Sequence, residues 1–141
     1  MEAQIHIQTD ARSELIDITE QVHWHVRGRG VQSGLCMVFL PHTTAGPTLN
    51  ENWDPTAKAD IMMTVDRLVP WQLPGPAEAG YRHSEGNSAA HAKASLMGFS
   101  QALLAEHYQL TLGNWEGIYL AEFEGPRERR VPVQFPPESA K

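Results

Sequence analysis

The chain has 141 residues, a formal net charge of −6, and is 41% hydrophobic and 20% charged. One domain is expected at this length, and it can bury roughly two-thirds of the surface of the unfolded chain, so no disulfide or structural metal is needed to hold it. The single cysteine, Cys36, excludes an internal disulfide and a Cys-rich metal site. An acidic balance argues against nucleic acid, which needs a basic footprint. The densest basic stretch, Arg127, Arg129 and Arg130, is diluted by Glu124 and Glu128. No apolar run approaches the roughly 18–20 residues of a membrane span, and the first residues lack the basic and apolar regions of a secretory signal. The expectation is a cytoplasmic protein with no membrane and no nucleic-acid partner.

Ile5 and Ile7 alternate with Gln4, His6 and Gln8, the pattern of a half-exposed strand, and a second short strand is expected at 14–18. Thr19 is placed to cap a helix carrying Val22 and Val26, which stops at Gly28 to Gly30. Leu35 to Leu40 is a continuous apolar run and predicts a strand covered on both faces. Pro41 ends it and presents His42, Thr43 and Thr44. A strand at 47–50 leads to Asp54-Pro55, a capping residue followed by proline at the first helical position. Ala57, Ile61, Met62, Val65 and Leu68 then recur at helical spacing, a stripe expected in the core. Residues 70–80, rich in Pro and Gly, form a loop within the domain. Asn87 or Ser88 caps a short Ala-rich helix that runs to about Met97 and stops at Gly98. Strands follow at 101–105, 108–112, 115–123 and 130–135. The order predicts an α+β fold with a mixed or mainly antiparallel sheet, residues 1–135 forming a single domain and 136–141 a frayed tail.

Seven histidines is a high count. His6, His23, His25 and His107 read as ordinary surface or packing residues. His42 follows a buried strand and opens a turn, a place where a rigid core presents side chains to a crevice. His83-Ser84-Glu85-Gly86-Asn87 leads into the short helix, with His91 on its first turn; the free amides and positive dipole end there can hold an anion on Gly86, Asn87 and Ser88. Neutral imidazoles suit zinc and related ions, yet the spacing of His42, His83 and His91 matches no compact metal motif, so a ligand set and three unrelated hydrogen-bonded histidines both remain open. Glu51, in Asn50-Glu51-Asn52, reads either as a general base or ligand-orienting carboxylate or as polarity ahead of a helix, and Glu85 poses the same choice. There is no P-loop, CxxC, GxSxG elbow or paired-Asp signature, and Ser100 lacks a partner. Trp24 and Trp115 read as packing anchors.

Pro41-His42-Thr43-Thr44-Ala45 with Asn50-Glu51-Asn52 and Asp54-Pro55 resembles the opening signature of the YjbQ family. His83 to Asn87 with Ala90-His91-Ala92-Lys93-Ala94-Ser95-Leu96-Met97-Gly98 resembles its second signature, and Leu112 to Leu120 with Glu122 and Gly125-Pro126-Arg127 its third. The resemblance spans essentially the whole chain, in order. It implies a compact α+β fold with a β-sandwich-like core, usually a homotrimer, with sites near subunit boundaries lined by histidines that can hold a divalent metal. It also implies a secondary thiamine-phosphate synthase activity, which joins a pyrimidine diphosphate to a thiazole phosphate and releases pyrophosphate. The chain departs from the third signature at Asn114-Trp115-Glu116, where the family usually reads Thr-Trp-Gln; the Gln-to-Glu change adds a charge.

Residues and resemblance combine into one expected site. His42, His83 and His91 hold the metal, zinc first and magnesium second. Thr43, Thr44, Asn50, Gly86, Asn87, Ser88 and Arg127 contact a small phosphorylated metabolite, Arg127 from a neighbouring subunit. Glu51 and Glu85 act as catalytic or ligand-orienting carboxylates. Two rivals stand beside it: a metal-dependent hydrolase of a small phosphorylated or acyl substrate, and a non-catalytic trimer that binds metal or metabolite.

Overall fold

The computed structural model describes residues 3–136. Its first two strands, β1 (Ala3–Gln8) and β2 (Glu14–Asp17), are followed by helix α1 (Thr19–Arg29), strands β3 (Ser33–Phe39) and β4 (Ala45–Glu51), and helix α2 (Pro55–Leu68). Helix α3 (Ser88–Met97) then precedes β5 (Ser100–Glu106), β6 (Gln109–Leu110), β7 (Glu116–Glu122) and β8 (Glu128–Gln134). The strands form a five-stranded sheet in the order β1-β8-β3-β5-β6 and a three-stranded sheet in the order β2-β7-β4, antiparallel at every pairing. The expected α+β class with antiparallel sheets is what the chain forms. Of the expected tail, Pro136 is exposed and residues 137–141 lie outside the described residues.

Strand period two divides the apolar residues between two cores. Ile118 and Leu120 of β7 face Val38, Leu103, Val131 and Val133 of the larger sheet, with Val22 and Val26 of α1 closing the same core. Tyr119, Ala121 and Phe123 point the other way, against Ala90 and Ala94 of α3. The smaller sheet is therefore a middle layer, with the larger sheet on one face and α2 and α3 on the other. Helix α3 sits hard on β4: a Cβ at Gly46 would come within 2.2 Å of the Gly98 carbonyl oxygen, so only glycine permits this approach.

Four local expectations are corrected. Ile18, not Thr19, is the N-cap of α1, without a side-chain cap; the Thr19 hydroxyl instead donates to Asp17 and accepts from the Ile118 N–H at 2.9 Å, tying the helix start to β7. The strand expected at 108–112 shrinks to β6, because His107 and Tyr108 both take positive φ, 53° and 64°, in a two-residue hairpin turn. The stripe on α2 is peripheral: Ile61, Met62 and Val65 pack half-buried on the second core, Leu68 is exposed, and no residue of this helix is fully buried. Its start is as read, with the Asp54 carboxylate accepting from the Thr56 N–H at 2.9 Å ahead of Pro55. Finally, β3 is covered on one face only. Cys36 and Val38 are buried while Leu35, Met37 and Phe39 are exposed, joined by Leu104 opposite Leu35 on β5. Both packed layers lie on the same side of this sheet, so among the described residues its outer face stays bare.

Among the described residues no helix is long and apolar enough to cross a membrane.

Candidate functional site

The segment after β3 turns at Pro41 and re-enters the smaller sheet at Ala45, and its shape is fixed from behind by a buried polar network. Arg129 on β8 donates from Nε to Glu122 Oε1 at 2.9 Å and from Nη2 to Glu122 Oε2, and also from Nη2 to the Thr44 hydroxyl at 2.8 Å and carbonyl at 3.2 Å. Thr9 donates to Glu122 Oε1 at 2.8 Å, and the Glu124 N–H reaches Oε2 at 3.0 Å. Burial alone would raise the Glu122 pKa, but these hydrogen bonds and the Arg129 charge bring it below the usual glutamate value. The carboxylate stays ionised and paired. Thr44 is thus a buried anchor, with its hydroxyl committed to Arg129, while Thr43 beside it is exposed.

His42 is half-buried, with Nε2 3.0 Å from the Arg130 N–H and 3.2 Å from the Arg130 carbonyl oxygen. Burial, then the charge of Arg129, lowers its pKa. The neutral ring accepts the Arg130 N–H at Nε2, which puts its own proton on Nδ1. In that state His42 offers a donor and no free lone pair.

His83 and His91 come together at the start of α3. Their ring centroids are 5.5 Å apart and the rings nearly perpendicular, and His83 Nε2 lies 3.8 Å from Glu85 Oε2. The Gly86 N–H closes the turn onto the His83 carbonyl at 3.2 Å, with Gly86 at φ +72°, so that amide is not free for an anion. Asn87 occupies the N-cap without capping: its amide donates to Glu124 Oε2 at 2.7 Å and Glu85 Oε2 at 3.4 Å. Asn87 is 4% exposed, and among the described residues its Oδ1 has no donor. Buried acceptors are seldom left unpaired, and this one can take an N–H or O–H donor, an ordered water or a cation. Ser88, half-buried, opens the helix itself. Arg127 is exposed, 3.5 Å from Glu124 Oε1, and its own N–H binds the Thr9 hydroxyl at 2.9 Å.

Two imidazoles, the Glu85 carboxylate and the unpaired Asn87 oxygen are a donor set of the right chemistry for a divalent ion. Among the described residues no three His, Cys, Asp or Glu side chains form a group that could hold a metal: His83, His91 and Glu85 do not close into a ligand set within the chain, and the expected third histidine, His42, is engaged at Arg130 instead. Asn50 and Glu51 lie elsewhere. The span from Ala45 to Glu51 along β4 is about 20 Å, which places both at the far end of the strand from the Thr43–Thr44 turn. The Glu122–Arg129 pair that braces the turn escaped the sequence reading; a Glu and an Arg seven residues apart, at the end of one strand and the start of the next in the chain, were the available signal.

The fold and this polar end define a class: a small three-layer α+β protein with histidines at the turn after β3 and at the start of α3. The family model for UPF0047 protein YjbQ-like matches residues 3–138, and the chain belongs to that family. It is 45% identical over 131 residues to UPF0047 protein YugU of Bacillus subtilis, covering 93% of this chain and 96% of that one. A crystal structure described as an uncharacterized conserved protein of the YjbQ/UPF0047 family, from Clostridium acetobutylicum, is 46% identical with a TM-score of 0.87, over 94% of this chain and 98% of that one. A conserved hypothetical protein of Thermus thermophilus is 38% identical with a TM-score of 0.83, over the same shares.

Proposed function

We propose that this chain is a secondary thiamine-phosphate synthase-like transferase, cytoplasmic and homotrimeric, acting on small phosphorylated metabolites at the end of the molecule that carries the His42 turn and the start of α3. The observation that carries this reading is the His83–His91 pair, two imidazoles 5.5 Å apart near a buried, unpaired Asn87 oxygen. His83 and His91 are the nitrogen ligands for a divalent ion, zinc first and magnesium second, with Glu85 the nearby carboxylate. When bound, such an ion neutralises pyrophosphate oxygens as that group departs.

The chain's own residues do the rest. His42 donates from Nδ1 to a phosphate oxygen. Exposed Arg127 grips phosphate with a planar, always charged fork. Glu85 and Glu124 would repel phosphate at this helix start, so binding there depends on the ion and on Arg127. In the reaction the thiazole nitrogen forms a C–N bond to the pyrimidine methylene carbon while that carbon's bond to the pyrophosphate oxygen breaks. The electron pair leaves with pyrophosphate, and the thiazole nitrogen has no proton to lose.

Trimerisation draws support from the bare face of Leu35, Met37, Phe39 and Leu104. A cavity of ≈520 Å³ beside it is lined by Met37, Phe39, Pro41 and Arg130, adjoining His42. A subunit seated there would place the histidine end at a boundary, and only across such a boundary can Asn50 and Glu51 serve it.

The test is to incubate metal-loaded protein with the pyrimidine diphosphate and the thiazole phosphate and to follow both products by mass spectrometry. Thiamine phosphate and pyrophosphate are expected in equal amounts, abolished in His83→Ala and His91→Ala and reduced in Arg127→Ala. Consumption of the diphosphate without the thiazole partner would mark a hydrolase instead.

A further inference from the structure

We infer that the opposite end of the β4–β7 pair carries a separate site for a small organic cation, built from Trp53, Trp115, Glu51 and Glu116. Trp53 is 72% exposed and Trp115 55%, yet the two rings meet edge to face with centroids 4.8 Å apart. Two tryptophans in mutual contact at the surface contribute little to the core and present a large π surface, which attracts cations. Beside them is a cavity of ≈380 Å³ lined by Glu51, Asn114, Trp115 and Glu116.

Glu51 and Glu116 are direct register partners, so their side chains leave the same face of adjacent strands. Like charges in that position destabilise a sheet, and neither carboxylate has an ion-pair partner among the described residues. A bound cation removes that repulsion. The frame is held in place: the Asn52 N–H reaches the Trp115 carbonyl at 2.8 Å, the Tyr119 hydroxyl donates to the Glu51 carbonyl at 3.0 Å, and Glu116 Oε1 accepts the Gly113 N–H at 3.1 Å. The aromatic pair decides the kind of cation. A hard metal ion draws nothing from indole and asks for six or more oxygens, whereas an alkylated ammonium or a flat cationic ring uses both the π faces and the carboxylates. Phosphate is repelled here, which separates this site in chemistry, and within one chain in distance, from the histidine end.

The test follows the four indole N–H signals of the ¹⁵N-labelled full chain by NMR during titration with tetramethylammonium chloride, at ionic strength held constant with sodium chloride. Trp53 and Trp115 should shift saturably, while Trp24 and Trp71 stay still. Glu116→Gln, which keeps the acceptor for Gly113, should raise the Kd about tenfold. Trp115→Ala should abolish the Trp53 shift, and His83→Ala should bind as wild type whatever the fate of the metal proposal. Absence of a shift, an equal shift of all four signals, an unchanged Kd in Glu116→Gln, or the same response to calcium chloride would each overturn the inference.

Discussion

Arg129 and Glu122 lie side by side in the interior, joined through Nε to Oε1 at 2.9 Å and through Nη2 to Oε2, both with side chains almost wholly removed from solvent. This pair holds Thr44 and, through neighbouring Arg130, the ring of His42. Removing one partner leaves a charge buried alone. Glu122→Gln is therefore expected to cost about 3–5 kcal/mol in urea unfolding, and replacing both residues by apolar side chains of similar volume should cost less than either single change.

The two shifted groups of this corner set the acid response. Glu122 has a folded pKa below its unfolded value, so its contribution is complete above roughly pH 4.3 and is lost as pH falls through the folded value. His42 is also lowered: the unfolded chain binds the proton more readily, so its contribution is complete above roughly pH 6.5 and declines as pH falls below that. Thermal melts between pH 8 and 5 should show stability falling on acidification, and His42→Asn should flatten the part of the slope nearest neutrality. A wild-type melting temperature that rises from pH 7 to 5.5 would contradict the assigned direction.

Packing of α3 on β4 gives a sharper contrast. Gly46→Ala forces a methyl group onto the Gly98 carbonyl and should destabilise by about 1–3 kcal/mol. Gly28→Ala, inside α1 with nothing within 4 Å of the new methyl, should stabilise by about 0.5–1 kcal/mol. Chemical denaturation of the two variants beside wild type compares them directly.

Much of the fold could be read from local pattern, because period and capping are local. Val131, Val133 and Phe135 announce β8, and Asp54-Pro55 announces α2. What escaped depends on partners distant in the chain. Thr19 gave up its capping role to a hydrogen bond 99 residues away, and His42 takes its partner 88 residues downstream. Glu51, expected in one site with His42 from the polar cluster Asn50-Glu51-Asn52 and the resemblance, is carried away from it by the extended strand between them. The apolar run of β3 announced burial on both faces, whereas the described residues supply cover to one face only; in the proposed trimer the second cover comes from a neighbouring subunit.

That cover leads to a prediction about assembly. Light scattering should give three times the 15.7 kDa chain mass, and Phe39→Asp or Leu104→Asp on the bare face should reduce it toward a single chain. A monomeric wild type would remove the subunit boundary from the proposed site.

The most direct measurement is metal content per chain by elemental mass spectrometry, on protein purified without chelator or metal-binding tag, for wild type, His42→Ala, His83→Ala and His91→Ala. The expected result is near-stoichiometric divalent metal in wild type, retained in His42→Ala and lost in His83→Ala and His91→Ala. Wild-type protein that takes up no ion even after reconstitution with zinc and magnesium, or that keeps its metal without both His83 and His91, would contradict the proposal.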